Sequence, residues 1–113
     1  MVNVKRLVQT FTLSDETEEI YGEPIYVDTY RLLGFQFTAN SDTVGLDGTA
    51  YIETSNDGVK WSQNASFGLS QLSGGNTYIS STDLEHNAIR IFIENDTNTE
   101  DGVQITANML FKD

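Results

Sequence analysis

Apolar side chains recur at every second position in three stretches of this chain, which is the period of a β-strand with one buried face. They are Leu33, Phe35 and Phe37; Ile89, Ile91 and Ile93; and Val103, Ile105, Ala107, Met109 and Phe111. We therefore predict core strands over residues 31–39, 88–93 and 103–112. The residues between them belong to the opposite face, and Arg90, Phe92 and Glu94 are predicted to face outward.

The first 28 residues show a weaker alternation. Leu7, Gln9, Phe11 and Leu13 fall on one face of residues 2–13, which predicts a strand or an extended arm. The acidic run 14–19 reads as a loop because no apolar helical period follows it. Pro24 cannot donate a ladder hydrogen bond, so residues 25–27 are predicted as an edge strand.

The middle of the chain predicts a hairpin that carries the only tryptophan. A strand over 49–54 enters the turn Ser55-Asn56-Asp57-Gly58, and a second strand over 59–67 contains Trp61. The glycine- and serine-rich residues 68–76 are predicted as a connection to a short strand over 77–81. Short strands separated by turns, with no amphipathic helix, predict an all-β protein with a single antiparallel, jelly-roll-like β-sandwich domain over 1–113.

Composition narrows the range of partners. The net charge is −11, with 17 acidic against 6 basic residues, which opposes binding to nucleic acid phosphates. The N-terminal residues are too polar for a signal peptide or a membrane span, so we expect no membrane partner. With no cysteine, neither a disulfide nor a thiolate metal site can form, and the fold has to rely on its core.

No arrangement of residues typical of catalysis stands out. His86 is the only histidine, and a Ser-His-Asp triad would need serines from distant loops to converge on it. A surface or turn-packing histidine is the favoured interpretation. We therefore expect that the protein is not an enzyme and uses no cofactor.

Calcium is the metal to consider, because it takes oxygen ligands and several acidic residues lie in predicted loops. These are Asp42, Asp47, Asp57, Asp96, Glu100 and Asp101. Their spacing matches no dedicated calcium loop, and aspartate is common in turns for conformational reasons. Solvated turn residues are the favoured interpretation over a structural calcium, and no metal site is predicted.

Two aromatic residues suggest binding surfaces. Trp61, with Tyr51, Asn56 and Asp57, has the composition of a carbohydrate site, although a tryptophan that closes a hairpin more often packs over the sandwich edge. Phe92 is predicted to lie on the face opposite Ile91 and Ile93. It would then mark a protomer interface or belong to the second layer of a two-sided core.

The hairpin and the sequence after it resemble small virion structural proteins of tailed bacteriophages. In that family a strand leads into Ser-Asn-Asp-Gly, two further residues and a tryptophan, as in residues 52–61 here. The pattern continues with a Gly/Ser-rich middle (72–81), a strand with an arginine among branched residues (88–94) and a closing strand that ends in a basic residue (102–112). The same hairpin also occurs in discoidin-like and other galactose-binding-like sandwiches, including carbohydrate-binding modules.

The resemblance implies a β-sandwich building block of the virion, present in many copies, that binds other virion proteins such as a major capsid or tail protein. A capsid decoration or cement protein, forming a homo-oligomer, is the expected role. A tail or neck protein, or a carbohydrate- or receptor-binding module that uses the Trp61 hairpin, is the alternative. Residues 1–28 lie outside the resemblance, and we expect them to reach a neighbouring subunit, with Val4, Leu7 and Phe11 in the contact.

Overall fold

The chain folds into two antiparallel β-sheets packed face to face. The computed structural model describes residues 4–27, 29–40, 45–96 and 102–113. The strands are β1 (Val4–Leu13), β2 (Glu18–Tyr21), β3 (Ile25–Tyr26), β4 (Leu32–Ala39), β5 (Gly48–Ser55), β6 (Ser62–Gly68), β7 (Thr77–Asp83), β8 (Ala88–Asn95) and β9 (Val103–Lys112). A 3₁₀ segment, Leu69–Gly75, joins β6 to β7.

Strand order confirms the predicted jelly-roll-like sandwich. Sheet A has the order β1-β9-β4-β7, and sheet B has the order β2-β8-β5-β6, with β3 also paired to β8. The chain crosses between the sheets at most connections, while β5 and β6 form the predicted hairpin. The described residues include no helix long and apolar enough to cross a membrane.

The core lies between the two sheets and uses the residues that the alternation selects. Leu33, Phe37, Ile91, Ile105 and Phe111 have no exposed surface. The inward side chains of β4 and β9 lie opposite one another, as in the pair Phe37 and Ala107. The predicted core strands are therefore confirmed, with bounds that differ from the prediction by two residues at most.

The N-terminal segment is part of the sandwich. Strand β1 pairs with β9 along its whole length, from Val4 opposite Lys112 to Leu13 opposite Val103. Residues 1–3 lie outside the described residues. The expectation of a separate arm is corrected: this segment completes sheet A of its own chain, because its alternating apolar face covers the core beside β9. Its outer edge and its outer face, which carries the exposed Val4 and Val8, are left for a neighbour.

Two predicted loops contain ordered structure. The acidic run does not stay irregular, since β2 begins at Glu18 and pairs with β8. The buried Asn95 holds the preceding turn by donating from Nδ2 to the carbonyl oxygens of Ser14 (3.0 Å) and Glu16 (3.1 Å). In the connection after β6, the 3₁₀ segment buries Leu69 and Leu72 completely. The surrounding glycines and serines are typical of a loop, so the sequence did not indicate that Leu69 and Leu72 belong to the core.

Candidate binding surfaces

The turn after β5 is built by side chains that bind its backbone. The Ser55 Oγ accepts a hydrogen bond from the Gly58 N–H (2.9 Å) and donates to the Asp57 Oδ1 (3.0 Å). Gly58 has φ +75°, a left-handed conformation that favours glycine. The turn therefore forms at the predicted residues, Ser55 to Gly58.

Asp57 extends this turn beyond its predicted end. Its Oδ1 accepts hydrogen bonds from the N–H groups of Val59 (2.8 Å) and Lys60 (2.9 Å). These bonds, first that from Lys60, then that from Val59, and then that from Ser55, lower the pKa of the Asp57 carboxyl, because they favour its charged form. Residues 59–61 consequently belong to the turn, and β6 begins at Ser62 instead of Val59.

Trp61 contacts an arginine at the end of this turn. The Arg90 guanidinium carbon lies 4.5 Å from the centroid of the Trp61 ring and 4.5 Å from the centroid of the Tyr21 ring. The Arg90 Nε donates to the Glu53 Oε1 at 2.7 Å. Trp61 is half-buried, in keeping with the packing interpretation of this residue, and a cation–π contact with Arg90 accounts for part of that burial.

Beside Arg90, three aromatic rings from three strands stack across the outer face of sheet B. Phe92 on β8 lies between Tyr21 on β2 (centroids 4.5 Å apart, planes 6° apart) and Tyr51 on β5 (5.4 Å, 18°). We name Tyr21, Phe92, Tyr51, Arg90 and Trp61 the outer stack. Aromatic neighbours on adjacent strands stabilise a sheet, and stacking hides the ring faces from solvent.

The outer stack shows how Phe92, a predicted interface residue, is packed. Phe92 does lie on the face opposite Ile91 and Ile93, but only 7% of it is exposed, since Tyr21 and Tyr51 cover it from both sides. Phe92 therefore belongs to a second apolar layer within the chain, which is the other interpretation that the sequence allowed. Its burial leaves it little surface for the predicted direct contact with a partner, whereas Tyr21 remains 50% exposed.

The four residues of the predicted carbohydrate site are split between two places. Asn56 and Asp57 line a groove of about 300 Å³ with Tyr26, Gly58 and Asn87. Tyr51 and Trp61 lie in the outer stack and do not line that groove. Contacts within the protein already use some of the polar groups that line this groove. The backbone carbonyl oxygen of Asn56 accepts a hydrogen bond from the Asn87 Nδ2 at 3.1 Å.

His86 lies beside the same turn. Its Nδ1 is 3.2 Å from the Asn56 Oδ1, and the ring borders a groove of about 190 Å³ with Asn64, Thr82 and Asp83. This contact ties the return loop before β8 to the β5–β6 turn. The observed arrangement matches a turn-packing histidine.

The acidic loop residues do not gather in the part of the chain that the structure describes. Within those ranges, no group of three or more Asp, Glu or His side chains is placed to hold a metal ion. Asp57 uses its Oδ1 in the turn, and the Asp47 Oδ1 accepts from the Gly48 N–H at 2.9 Å. Asp42, Glu100 and Asp101 lie outside the described residues.

The predicted arm residues have different exposures. Val4 is 50% exposed, but Leu7 is half-buried and Phe11 is only 5% exposed, since both pack against the core. Leu7 and Phe11 face inward from β1, which leaves them less surface than predicted for direct contact with a partner. The outer face of β1 instead presents Val4 and Val8, the latter 60% exposed.

Beside Val8, the outer face of sheet A contains a shallow groove of about 330 Å³. Its outward side chains include Arg6, Val8, Leu110 and Ile79, and Gly34 forms part of its base. Ile79 is 69% exposed. Gly34 lies in the middle of β4 and leaves the space that a side chain would fill. The groove is an apolar depression on the outer face of sheet A.

Tyr21, Ile79 and the Glu53–Arg90 pair were not among the residues predicted from the sequence. Tyr21 lies next to a predicted turn, and its contact with Phe92 depends on the pairing of β2 with β8. A signal did exist for the ion pair, since one acidic and one basic residue stand at outward positions of two predicted strands. Its use requires the register that places Glu53 opposite Arg90.

Comparison with known proteins relates the fold to phage-derived proteins. No family model matches the sequence, and no curated protein matches it either. Among solved structures, the PBSX exported protein XepA aligns with a TM-score of 0.65 and 16% identity, over 96% of this chain and 36% of that protein. The chain thus spans about a third of the length of XepA.

Two further structures match over most of both chains. The SPBc2 prophage-derived protein YomS aligns with a TM-score of 0.55 and 10% identity, over 98% of this chain and 96% of YomS. A protein of Bacillus endospore appendages, which form disulfide-linked pili, aligns with a TM-score of 0.55 and 8% identity, over 97% of this chain and 87% of that chain. These similarities establish the β-sandwich fold. They do not show the Ser-Asn-Asp-Gly-x-x-Trp hairpin motif.

Proposed function

We propose that this chain is a structural protein of a bacteriophage virion and acts as a capsid decoration protein. The observation that carries the proposal is the similarity to YomS, which extends over nearly the full length of both chains. YomS is prophage-derived, and the PBSX exported protein XepA shares the same fold. The resemblance of the hairpin sequence to phage virion proteins supports the same assignment independently of the fold.

The surface of the sandwich suits binding to other subunits. Sheet A presents a broad outer face with an apolar groove, and the exposed Val8 and Ile79 flank it. A decoration protein stabilises a lattice by binding only the assembled state, so that its binding free energy adds to the stability of the particle. Such a role requires a complementary surface of sufficient area and no catalytic centre.

Localisation in the particle tests this proposal. Cryo-electron microscopy of the intact particle should show density for the sandwich in many copies on the capsid surface. Purified protein should also co-sediment with capsids that lack it, and raise the temperature at which they rupture. Density on the tail or neck alone would replace the decoration role by a tail role, and absence from the particle would overturn the virion assignment.

A carbohydrate-binding module is the second candidate, favoured by the contacts of the Tyr21 and Trp61 rings with Arg90. Partly exposed aromatic rings beside a charged donor can hold a sugar ring. Trp61 is the only tryptophan, so its fluorescence reports on this site directly. Quenching by iodide together with a spectral shift on addition of sugars would support this candidate, and a protected indole that ignores sugars would remove it.

A further inference from the structure

We propose that a second copy of this chain docks on the outer face of sheet A, so that two sandwiches pack face to face around a twofold axis. This inference deepens the proposed virion role, on which its biological setting rests, by naming one subunit contact. The dimer itself is a property of the isolated protein. It is carried by the charge of this face, by its shape and by the alignment of its residues.

The outer face of sheet A differs in charge from the rest of the chain. The chain has 17 acidic residues. On the described outward positions of β1, β9, β4 and β7, Asp83 is the only acidic side chain, whereas Arg6 and Lys112 are basic. Two copies with a charge of −11 repel each other through most of their surfaces. This face is where they can approach without placing carboxylates against carboxylates.

The strand register arranges this face in rows that run across all four strands. From β1 to β7, the first row consists of Val4, Lys112, Leu32 and Asp83, and the second row consists of Arg6, Leu110, Gly34 and Ser81. The third row consists of Val8, Asn108, Gln36 and Ile79. The fourth row contains only threonines, at positions 10, 106, 38 and 77. Each row therefore has a fixed order from β1 to β7.

A twofold axis that runs parallel to the strands, between β9 and β4, makes these rows self-complementary. This operation keeps each row in place and reverses its order, so that β1 faces β7 of the second copy and β9 faces β4. Leu110 then meets the depression at Gly34 of the second copy, and Val8 meets Ile79. In the row of threonines, each threonine meets a threonine of the second copy. Such self-complementarity is what an isologous interface requires.

Residues of opposite charge also come close to each other in the proposed dimer. Arg6 and Asp83 lie on the two outer strands of the same sheet, three strand spacings or about 14 Å apart, which is too far for an ion pair within one copy. In the proposed dimer β1 faces β7, and Arg6 lies one row from Asp83 of the second copy. Its long side chain spans the two-residue step of roughly 7 Å along the strand.

The size of the face agrees with a stable dimer. Four strands of up to ten residues give a projected area of roughly 600 Å² per copy. A standard interface buries about 800 Å² of accessible surface per partner, and accessible area exceeds projected area because side chains corrugate the sheet. The faces of two packed sheets lie about 10 Å apart, the distance that allows Leu110 to enter the Gly34 depression.

The first test measures the mass of the purified protein. Sedimentation equilibrium of the wild type should give twice the chain mass of 12.6 kDa. Gly34→Glu should give a monomer, since it fills the depression with a carboxylate. A Cβ at Gly34 meets only Leu110 at 3.9 Å, an ordinary contact, so the variant should fold. Ser66→Glu, an exposed position on the outer face of sheet B, is the matched control and should remain a dimer.

The second test exchanges the charges. Arg6→Asp and Asp83→Arg should each weaken the dimer, and the double variant should restore it. Because the two residues are too far apart to pair within a chain, restoration can come only from a contact between copies. Thermal unfolding of each variant, with the loss of secondary structure as readout, separates weakened dimers from unfolded chains.

The third test locates the contact by cross-linking. The chain has no cysteine, so Val8→Cys and Ile79→Cys introduce the only thiols. A short bismaleimide should join a mixture of the two single variants into heterodimers, and should join neither variant to itself. Self-linking of Val8→Cys would place two β1 edges together and overturn the face-to-face arrangement. A wild type that stays monomeric at its highest soluble concentration would overturn the dimer altogether.

These tests separate the dimer from the virion role. Sedimentation and cross-linking use the isolated chain, so they can fail while the protein is still found in the particle. Conversely, a dimer with the predicted cross-links stands even if the chain is absent from virions. Gly34→Glu added to particles then shows whether capsid binding needs the dimer.

Discussion

Arg90 and Glu53 form a close ion pair on the outer face of sheet B, with the Arg90 Nε 2.7 Å from the Glu53 Oε1. The two residues are direct partners of the antiparallel ladder between β8 and β5. Glu53 is only 7% exposed, and Tyr21 and Trp61 contact the guanidinium through their rings. The pair thus links the carboxylate of a central strand to the aromatic outer stack.

Removal of Arg90 should destabilise the protein more than neutralisation of its partner. Arg90→Leu leaves the Glu53 carboxylate buried without its cation, which costs about 3 kcal/mol when a buried pair loses one member. Glu53→Gln keeps a hydrogen-bond acceptor and should cost less. Combining the two changes should recover part of the loss. Urea unfolding measures all three free energies, with the exposed Arg31→Leu as a control. Equal losses for Arg90→Leu and Arg31→Leu would contradict this account.

Gly48 should tolerate no side chain. It has φ +121°, and a Cβ there would collide with the carbonyl oxygen of Glu94 on the neighbouring strand. We expect Gly48→Ala to lower the free energy of unfolding by about 2 kcal/mol or more, from overpacking and backbone strain together. Gly74→Ala is the control, since Gly74 has φ +76° but open space around it, and it should cost only the strain of about 1 kcal/mol. Similar losses in the two variants would remove the steric part of the explanation.

Leu72 should behave as a core residue despite its glycine- and serine-rich surroundings. It is completely buried in the 3₁₀ segment. Leu72→Ala should lower the free energy of unfolding by about 2–5 kcal/mol, the range for leucine truncation in a packed core. The adjacent Gln71 is exposed, and Gln71→Ala should change stability by less than about 0.5 kcal/mol. A small loss for Leu72→Ala would show that this segment does not seal the core.

Asp57 should contribute stability that depends on pH. Hydrogen bonds from Lys60, Val59 and Ser55 lower its pKa in the folded protein below the ordinary value of 3.8. A group with a lowered folded pKa stabilises above its unfolded pKa and loses that contribution as pH falls through the folded value. Asp57→Asn keeps the acceptor oxygen but removes the charge. The stability difference between wild type and variant should therefore be greatest above pH 3.8 and shrink below it.

Urea unfolding of both proteins over a series of pH values measures this difference. The carboxyl titration of Asp57 itself, followed by NMR, provides a second readout. A difference that stays constant through the acid range would show that the charge of Asp57 contributes nothing to the turn.

How far the sequence predicted the fold depends on how local each signal is. In β4, β8 and β9 the period of two assigns Phe37, Ile91 and Ile105 to the core, because a strand with one buried face needs nothing beyond its own alternation. The turn at Ser55 to Gly58 is local as well, since its hydrogen bonds join residues two or three positions apart. The sequence alone therefore determined the sandwich class, most strands and the hairpin.

The surfaces were decided by tertiary structure. The burial of Phe92 by Tyr21 and Tyr51 depends on the lateral order of β2, β8 and β5, which sequence periodicity does not specify. The contact of Trp61 with Arg90 depends on the same order. Each strand alone indicates which residues face outward, but only the register across four strands sets Leu110 beside Gly34 and Val8 in one row with Ile79. Alternation is a property of one strand, whereas a surface is a property of neighbouring strands.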